Sequence, residues 1–175
     1  MPLGVQELDG PLPFRAQTWR DDDSLPCHSQ DFLRAIPNTS SVSFRSDDRS
    51  RFPARFETVA RAVAPRWIRI GHGHGFDDMV RAEGFELRAF LSTNFPEADP
   101  DDFFLFVSCD GYRALLSGRE IFATPEGAAM MIADRINGEP PPRGYLLAPT
   151  ADYFSDRAMW GLAHVVWIRQ AEIES

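Results

Sequence analysis

Two histidines separated by one residue, His72 and His74, lie in the alternating glycine run of residues 71–75. In an extended segment, side chains at i and i+2 point to the same side. Two imidazoles so placed can bind a transition metal such as zinc or copper, or a haem iron. Because a protein metal site usually has a third ligand, His164 beside the last predicted strand is a further candidate. The alternative is a surface loop whose histidines bind nothing, with His164 in the core.

A second group of candidate residues surrounds two turn-forming dipeptides, Asp110-Gly111 and Asn137-Gly138. Both dipeptides favour the positive φ values with which a chain reverses direction between strands. Turns at strand ends can present polar groups on a rigid sheet, so both turns are candidate binding loops. The residues in and around them that we assign to cofactor binding are Cys109, Asp110, Tyr112, Arg113, Asn137 and Arg143.

Several of these residues also have a purely structural interpretation. A thiol such as Cys109 can be a ligand or nucleophile, but free cysteines more often pack in the interior. Asp110 can close its own turn through its carboxylate, and Tyr112 can cover the core with its ring. Arg113 and Arg143 can hold an anion through two hydrogen bonds each, or remain solvated on exposed loops.

Length and charge limit the classes of function. The 175 residues suit a single domain with a sizeable core. The net charge of −8 argues against a surface that follows nucleic-acid phosphates. All 18 basic residues are arginine, so the chain has no lysine for a Schiff base or a phosphate-binding loop.

The sequence predicts a cytoplasmic protein without a membrane partner. No apolar run approaches the ~20 residues of a membrane span. The first ten residues lack the basic and then apolar pattern of a secretory signal. The two cysteines, Cys27 and Cys109, lie far apart, and two reduced thiols are the simpler interpretation, with one disulfide as the alternative.

The pattern of residues changes near position 55. Residues 1–55 contain many prolines and an acidic run, and we interpret them as an irregular extension packed on the core, with a loop over residues 38–50. Residues 56–175 predict an α+β domain with a β-rich core, a mixed sheet or barrel-like, and short helices. Strands are predicted at residues 67–70, 103–108, 113–117, 145–149 and 165–169, and helices at 56–64, 85–92 and 118–122.

Five phrases carry a resemblance that covers most of residues 67–170. In chain order they are residues 84–91 (GFELRAFL), 104–112 (FLFVSCDGY), 117–122 (SGREIF), 137–140 (NGEP) and 160–168 (WGLAHVVWI). In this order and spacing they resemble the oxidoreductase molybdopterin-binding domain, the fold of sulfite oxidase and its bacterial relatives. The resemblance implies that fold, a molybdopterin or metal cofactor, redox chemistry and a redox partner protein.

The chain departs from this family at the positions that bind the cofactor. Molybdenum members place a cysteine ligand before the first of these phrases, where this chain has the glycines and histidines of residues 71–75. The family's arginine is missing from residues 144–149, and Met159 stands where the family has a cation. The chain is similar to small bacterial members that carry a His-Gly phrase in place of the cysteine.

Three functions follow as hypotheses. The first is a molybdopterin-type oxidoreductase, in which the cofactor supplies the chemistry and the protein orients it. The second is a non-catalytic binding or interaction module that keeps the fold without molybdenum. The third is a histidine-based metal or haem binder at His72 and His74. For the first two, the expected ligand is a small anion or cofactor.

Overall fold

The computed structural model describes Leu33, Ile36 and residues 40–61, 66–70, 78–141, 143–149 and 157–173. The strands in this part are β1 (Ser41–Ser43), β2 (Phe52–Pro53), β3 (Arg66–Ile70), β4 (Asp78–Glu86), β5 (Phe103–Ser108), β6 (Arg113–Ser117), β7 (Met131–Ile136), β8 (Leu146–Ala148), β9 (Met159–Trp160) and β10 (Leu162–Ile168). The helices are α1 (Leu87–Asn94), α2 (Gly118–Ala123), α3 (Pro125–Ala129) and α4 (Gln170–Ile173).

The first sheet has the strand order β2-β1-β10-β5-β6. β10 lies at its centre, antiparallel to β1 and to β5. Because β1 pairs with β2 in parallel, the sheet is mixed. Alternation along β5 turns Phe104 and Phe106 into the core, where both rings are fully buried. β5 and β6 form the hairpin that their flanking turn predicts.

The second sheet has the order β3-β4-β7-β8-β9, with every pair antiparallel. The register between β4 and β7 shifts between Glu83 and Gly84. A Cβ at Gly84 would lie 2.1 Å from the carbonyl oxygen of Ile132. Glycine is therefore required where these two strands approach most closely.

The two sheets and α1 share one hydrophobic core. Its members include Leu116 from the first sheet, Ile132 from the second, and Phe90 from α1. The apolar stripe of α1 recurs at helical spacing, which turns one helix face into this core. Aromatic rings extend the core toward β8, with centroids 4.5–5.8 Å apart in the contacting pairs of Phe44, Phe56, Phe85, Phe90 and Tyr145.

Side-chain caps start the two short helices after β6. The hydroxyl of Ser117 accepts a hydrogen bond from the backbone N–H of Glu120 at 3.1 Å, at the start of α2. The hydroxyl of Thr124 accepts from the N–H of Gly127 at 3.0 Å, and Pro125 occupies the first turn of α3. Such caps satisfy backbone donors that have no partner within the helix.

The structure confirms the broad prediction of an α+β fold with a β-rich core and short helices. The strands of the described residues form two separate sheets, and the likeness to the sulfite oxidase fold stays a prediction. The helix predicted at residues 56–64 is wrong for residues 56–61, which form a turn and then a bridge from Arg61 to Phe85. The loop predicted at residues 38–50 contains β1, which joins the first sheet.

Candidate functional site

The turn between β5 and β6 is closed by its own side chains. Oδ1 of Asp110 accepts hydrogen bonds from the backbone N–H of Tyr112, at 3.0 Å, and from the hydroxyl of Ser108. Gly111 has a φ of +88°, which a glycine adopts without strain. The carboxylate of Asp110 therefore closes its own turn, which is the structural role considered for it from the sequence.

Gly161 joins this turn to the second sheet. Its carbonyl oxygen accepts a hydrogen bond from the N–H of Cys109 at 2.9 Å. The next residue, Leu162, donates its N–H to the carbonyl oxygen of Tyr145 at 3.0 Å. The turn after β5, the start of β8 and the start of β10 consequently meet. We call the region formed by residues 108–112, 143–145 and Gly161 the Gly161 edge.

Arg143 lies against Gly161 in an unusual backbone conformation. Its φ of +60° places an arginine in the left-handed region, which side chains other than glycine and asparagine seldom occupy. A Cβ on Gly161 would approach Cβ of Arg143 to 3.0 Å and Cδ to 3.1 Å. The missing side chain of Gly161 thus leaves room for the arginine stem. Strained residues of this kind cluster at functional sites.

Tyr145, which belongs to the Gly161 edge, is held by aromatic packing. The ring of Tyr145 stacks on Phe56 with centroids 5.4 Å apart and an interplanar angle of 10°. Burial, and then the negative charge of Asp134, raise the pKa of the Tyr145 hydroxyl, so the ring stays neutral. Arg61 binds the same Asp134 through two hydrogen bonds of 2.6 and 2.7 Å. Packing against Phe56 and the neighbouring ion pair of Arg61 with Asp134 together hold Tyr145, the residue after Gly144, in place.

Two predicted site residues at the start of β6 are accessible to solvent. Tyr112 is 47% exposed, and Arg113 is also exposed. Tyr112 ends the turn that Cys109 ties to Gly161, so it is part of the Gly161 edge, and Arg113 follows it directly. A phenol and a guanidinium in this position can contact a ligand that lies against the edge.

Asn137 lies at the end of the second sheet where the Gly161 edge is, and its side chain has a structural role. It has a φ of +52° in the hairpin turn after β7. Its Oδ1 accepts a hydrogen bond from the N–H of Arg81 at 2.9 Å, and its own N–H donates to the carbonyl oxygen of Arg81 at 2.7 Å. The side chain thus joins the turn to β4, and a ligand could be contacted only by its amide nitrogen.

Cys109 is bonded in a disulfide, so the prediction of two reduced thiols is wrong for this residue. The other cysteine of the chain, Cys27, lies outside the described residues. A disulfide sulfur carries no thiolate, which is the form that attacks an electrophile or binds a metal. Cys109 can bind a cofactor as a ligand only after reduction.

The candidate metal ligands His72 and His74 lie outside the described residues. Among the residues that the structure describes, no group of three or more His, Cys, Asp or Glu side chains is arranged to hold a metal ion. His164 is fully buried, and its Nε2 lies 2.8 Å from Oδ2 of Asp48. It belongs to the interior of the first sheet.

The cluster around His164 is a feature that the sequence did not predict. Nε2 of His164 lies also 3.3 Å from the hydroxyl of Ser43. Burial lowers the pKa of His164, although the Asp48 carboxylate opposes this. Burial by itself would raise the pKa of Asp48, but hydrogen bonds from Ser50 and His164 outweigh it and lower the value to about 2. No spacing signal links Ser43, Asp48 and His164, because two sequence-distant segments bring them together.

The donor groups at the Gly161 edge suit an anion better than a thiolate-bound metal. Arg113 and Arg143 supply guanidinium groups that match phosphate or carboxylate oxygens. The sulfur nearest to them in the chain, on Cys109, is held in a disulfide. At this edge, the described residues therefore offer groups for an anion and no thiolate for a metal.

Comparison with protein-family models gives no match for this chain, and comparison with curated proteins gives none either. Within the described part of the chain, every helix is too short or too polar to cross a membrane.

Proposed function

We propose that the protein binds a small organic anion of the phosphorylated pterin class at the Gly161 edge. The observation that carries this proposal is Arg143, held at a φ of +60° against Gly161. A left-handed arginine costs about 1–3 kcal/mol, and such a cost persists where the surrounding structure over-determines it. The position of its stem against Gly161 restricts the side chain before an anion binds, which lowers the entropy that binding must remove.

The neighbouring groups complete a site for a planar, charged ligand. Arg113 adds an exposed guanidinium to that of the half-buried Arg143, and Tyr112 adds a phenol and an exposed ring. The hydrogen bond from Cys109 to Gly161 links the turn that precedes both residues to Gly161, and Arg143 lies against Gly161. In a chain with a net charge of −8, a pair of arginines is the feature that selects an anion locally.

Binding in this proposal does not depend on a protein thiolate. The resemblance to the molybdopterin-binding domain supports the pterin class of ligand. The family's cysteine ligand is replaced by the glycines and histidines of residues 71–75, which favours the module that keeps the fold without molybdenum over the sulfite oxidase type of enzyme. The disulfide at Cys109 offers no thiolate in its place. The oxidoreductase remains the second candidate, since the order of the five sequence phrases supports it.

The test is titration calorimetry of the purified chain with a phosphorylated pterin, with inorganic pyrophosphate as the probe for the anion alone. Replacing Arg143 with alanine should weaken binding about tenfold to a hundredfold, as expected for loss of a charge-assisted bidentate contact. Arg135→Ala is the matched control, because Arg135 is an exposed arginine that binds the carbonyl oxygen of Gly138. Equal affinity of wild type and Arg143→Ala would overturn the proposal.

Elemental analysis separates the two candidates. Protein purified from a bacterial host that makes the cofactor should contain pterin, seen by fluorescence after oxidation, without one molybdenum per chain. Stoichiometric molybdenum that survives alkylation of every free thiol would establish the oxidoreductase instead. A metal lost in the His72→Ala/His74→Ala double variant would establish the histidine site.

A further inference from the structure

His164 occupies the centre of the first sheet. It lies in β10 opposite Ser43 of β1 on one side and Val107 of β5 on the other. Its side chain has no exposed surface. The loop between β1 and β2, residues 44–51, contacts its ring through Asp48. We call this segment the β1–β2 loop.

The hydrogen bonds determine where the ring proton lies. Asp48 of the β1–β2 loop is ionised at neutral pH, and its Oδ2 lies 2.8 Å from Nε2 of His164. An ionised carboxylate can only accept, so Nε2 must donate to Asp48 and Nδ1 carries no proton. Nδ1 is buried and has no hydrogen-bond partner among the described residues.

The charges around the ring oppose a second proton. Arg45 and Arg51 of the β1–β2 loop both lower the pKa of His164, after the larger effect of burial, while Asp48 raises it. Arg45 pairs with Asp47, and Arg51 donates to the hydroxyl of Ser41 and to the carbonyl oxygens of Leu33 and Ile36. The flanking strands β1 and β5 and β10 itself contribute no other charged side chain.

We propose that His164 is a proton-operated latch for the β1–β2 loop: a proton on Nδ1 releases residues 44–51 from β10 while the second sheet stays folded. The added proton has no acceptor in the closed state and lies in the field of two guanidinium groups. Movement of the loop takes Asp48 and both arginines away from the ring and lets water reach this proton. The core between the sheets does not include His164 and is retained.

Release of this loop changes a cavity. A cavity of about 360 Å³ beside β2 is lined by Val42, Phe52, Pro53, Arg55, Asn94 and Phe95. Val42 precedes the β1–β2 loop and Phe52 follows it, so residues on both sides of the loop line the cavity. The latch therefore makes the shape of this cavity depend on pH.

The direction of the pH response follows from the lowered pKa of His164. Above the ordinary histidine pKa of about 6.5 the imidazole is neutral in every state and the latch is closed. As the pH falls through 6.5, the open state takes up a proton before the closed state does. The opening equilibrium rises by at most about tenfold per pH unit, because one proton is bound per opening.

Hydrogen exchange read by mass spectrometry tests the latch on the full chain, from about pH 8 to about pH 5, with labelling times scaled for the intrinsic rate. In wild type, peptides that cover residues 44–51 should lose protection as the pH falls, while peptides that cover β7 keep theirs. His164→Gln retains a donor to Asp48 but cannot titrate, and it should keep the loop protected throughout. His28→Gln/His72→Gln/His74→Gln should respond as wild type does.

Three results would overturn the latch, two from hydrogen exchange and one from NMR. The first is a loop whose protection does not change with pH in wild type, and the second is protection that falls equally in His164→Gln. The third comes from NMR titration of the wild-type imidazole, which does not depend on any variant folding. A His164 that titrates at or above the ordinary histidine pKa would show that the closed state accepts the proton.

Discussion

The indole Nε1 of Trp167 donates a hydrogen bond to Oδ2 of Asp102 across 2.8 Å, with both residues buried. The same oxygen accepts from the N–H of Asp99 at 2.9 Å, and Oδ1 accepts from the N–H of Gln170 at 3.0 Å. One carboxylate thus connects the end of β10, the start of α4 and the turn before β5. These donors outweigh burial and lower the pKa of Asp102.

We predict that Asp102→Asn destabilises the protein by about 1–3 kcal/mol. An amide has one acceptor oxygen, so it cannot receive all three donors. Urea unfolding followed by tryptophan fluorescence measures the change in free energy of unfolding. Asp101→Asn is the control, because Asp101 forms an exposed ion pair with Arg119 and should cost under about 1 kcal/mol. Equal losses in the two variants would contradict the role of Asp102.

A methyl group at Gly84 should be far more costly than one at Gly138. The new Cβ at Gly84 would lie 2.1 Å from the oxygen of Ile132, and the backbone of β7 cannot move away without loss of pairing. We expect Gly84→Ala to lose about 3 kcal/mol or more, or not to fold. Gly138 has open space around it and a φ of +85°, so Gly138→Ala should lose about 1 kcal/mol. Thermal unfolding of both variants decides this, and a Gly84→Ala protein as stable as Gly138→Ala would refute the close approach.

Acid should weaken the contribution of Asp48. The pKa of Asp48 is about 2 in the folded protein, against 3.8 for an aspartate without these contacts. A lowered acid pKa stabilises the folded state above 3.8, and the stabilisation is lost as the pH falls through 2. The loss is about 2 kcal/mol, from the difference between the two pKa values. In the His164→Gln background, which keeps the β1–β2 loop closed in acid, the unfolding free energies with and without Asp48→Asn should therefore converge by this amount between about pH 5 and about pH 2. A constant difference would exclude the role of this carboxylate.

At position 143 the effects of backbone strain and of the side chain can be separated. Arg143→Gly and Arg143→Ala both remove the guanidinium, and we expect both to lose anion binding. Only glycine relieves the φ of +60°, so Arg143→Gly should be more stable than Arg143→Ala by about 1 kcal/mol. Chemical unfolding of the pair measures this difference independently of any contact the arginine makes. Equal stability would mean that the backbone relaxes when the side chain is removed.

The disulfide at Cys109 should contribute to stability. Reduction of the wild type, or Cys109→Ser, is expected to lower the free energy of unfolding by about 2–4 kcal/mol, as for other native disulfides. Unfolding with and without reductant measures the contribution, and Cys109→Ser should be insensitive to reductant. Alkylation of Cys109 in unreduced wild-type protein would contradict the disulfide.

The sequence predicts the strands that carry a strong local signal. The aromatic and β-branched run of residues 103–108 and the hairpin after it are confirmed as β5 and β6. The helix predicted at residues 85–92 forms as α1 two residues later, because Phe85 and Glu86 pair with β7 as part of β4. The sequence does not predict β4, since charged residues interrupt it at irregular intervals and the apolar period is weak.

The composition of the candidate site was harder to predict. The turn at Asp110 and the position of Arg143 follow from turn chemistry, but their meeting at Gly161 depends on how the two sheets join. The disulfide at Cys109 could not be derived from two distant cysteines. The contact between Asp48 and His164 arises from the pairing of β1 with β10, which spans most of the chain and leaves no local signal.

The central position of β10 also has a consequence during synthesis. β1 and β5 leave the ribosome well before residues 162–168, the strand that lies between them in the first sheet. Ser43 and His164, which pair between β1 and β10, are separated by most of the chain. Such a long-range pair raises the contact order and slows folding. Until β10 emerges, the edges of β1 and β5 that it will cover lack their partner strand, and unpaired strand edges of this kind are open to pairing with other chains.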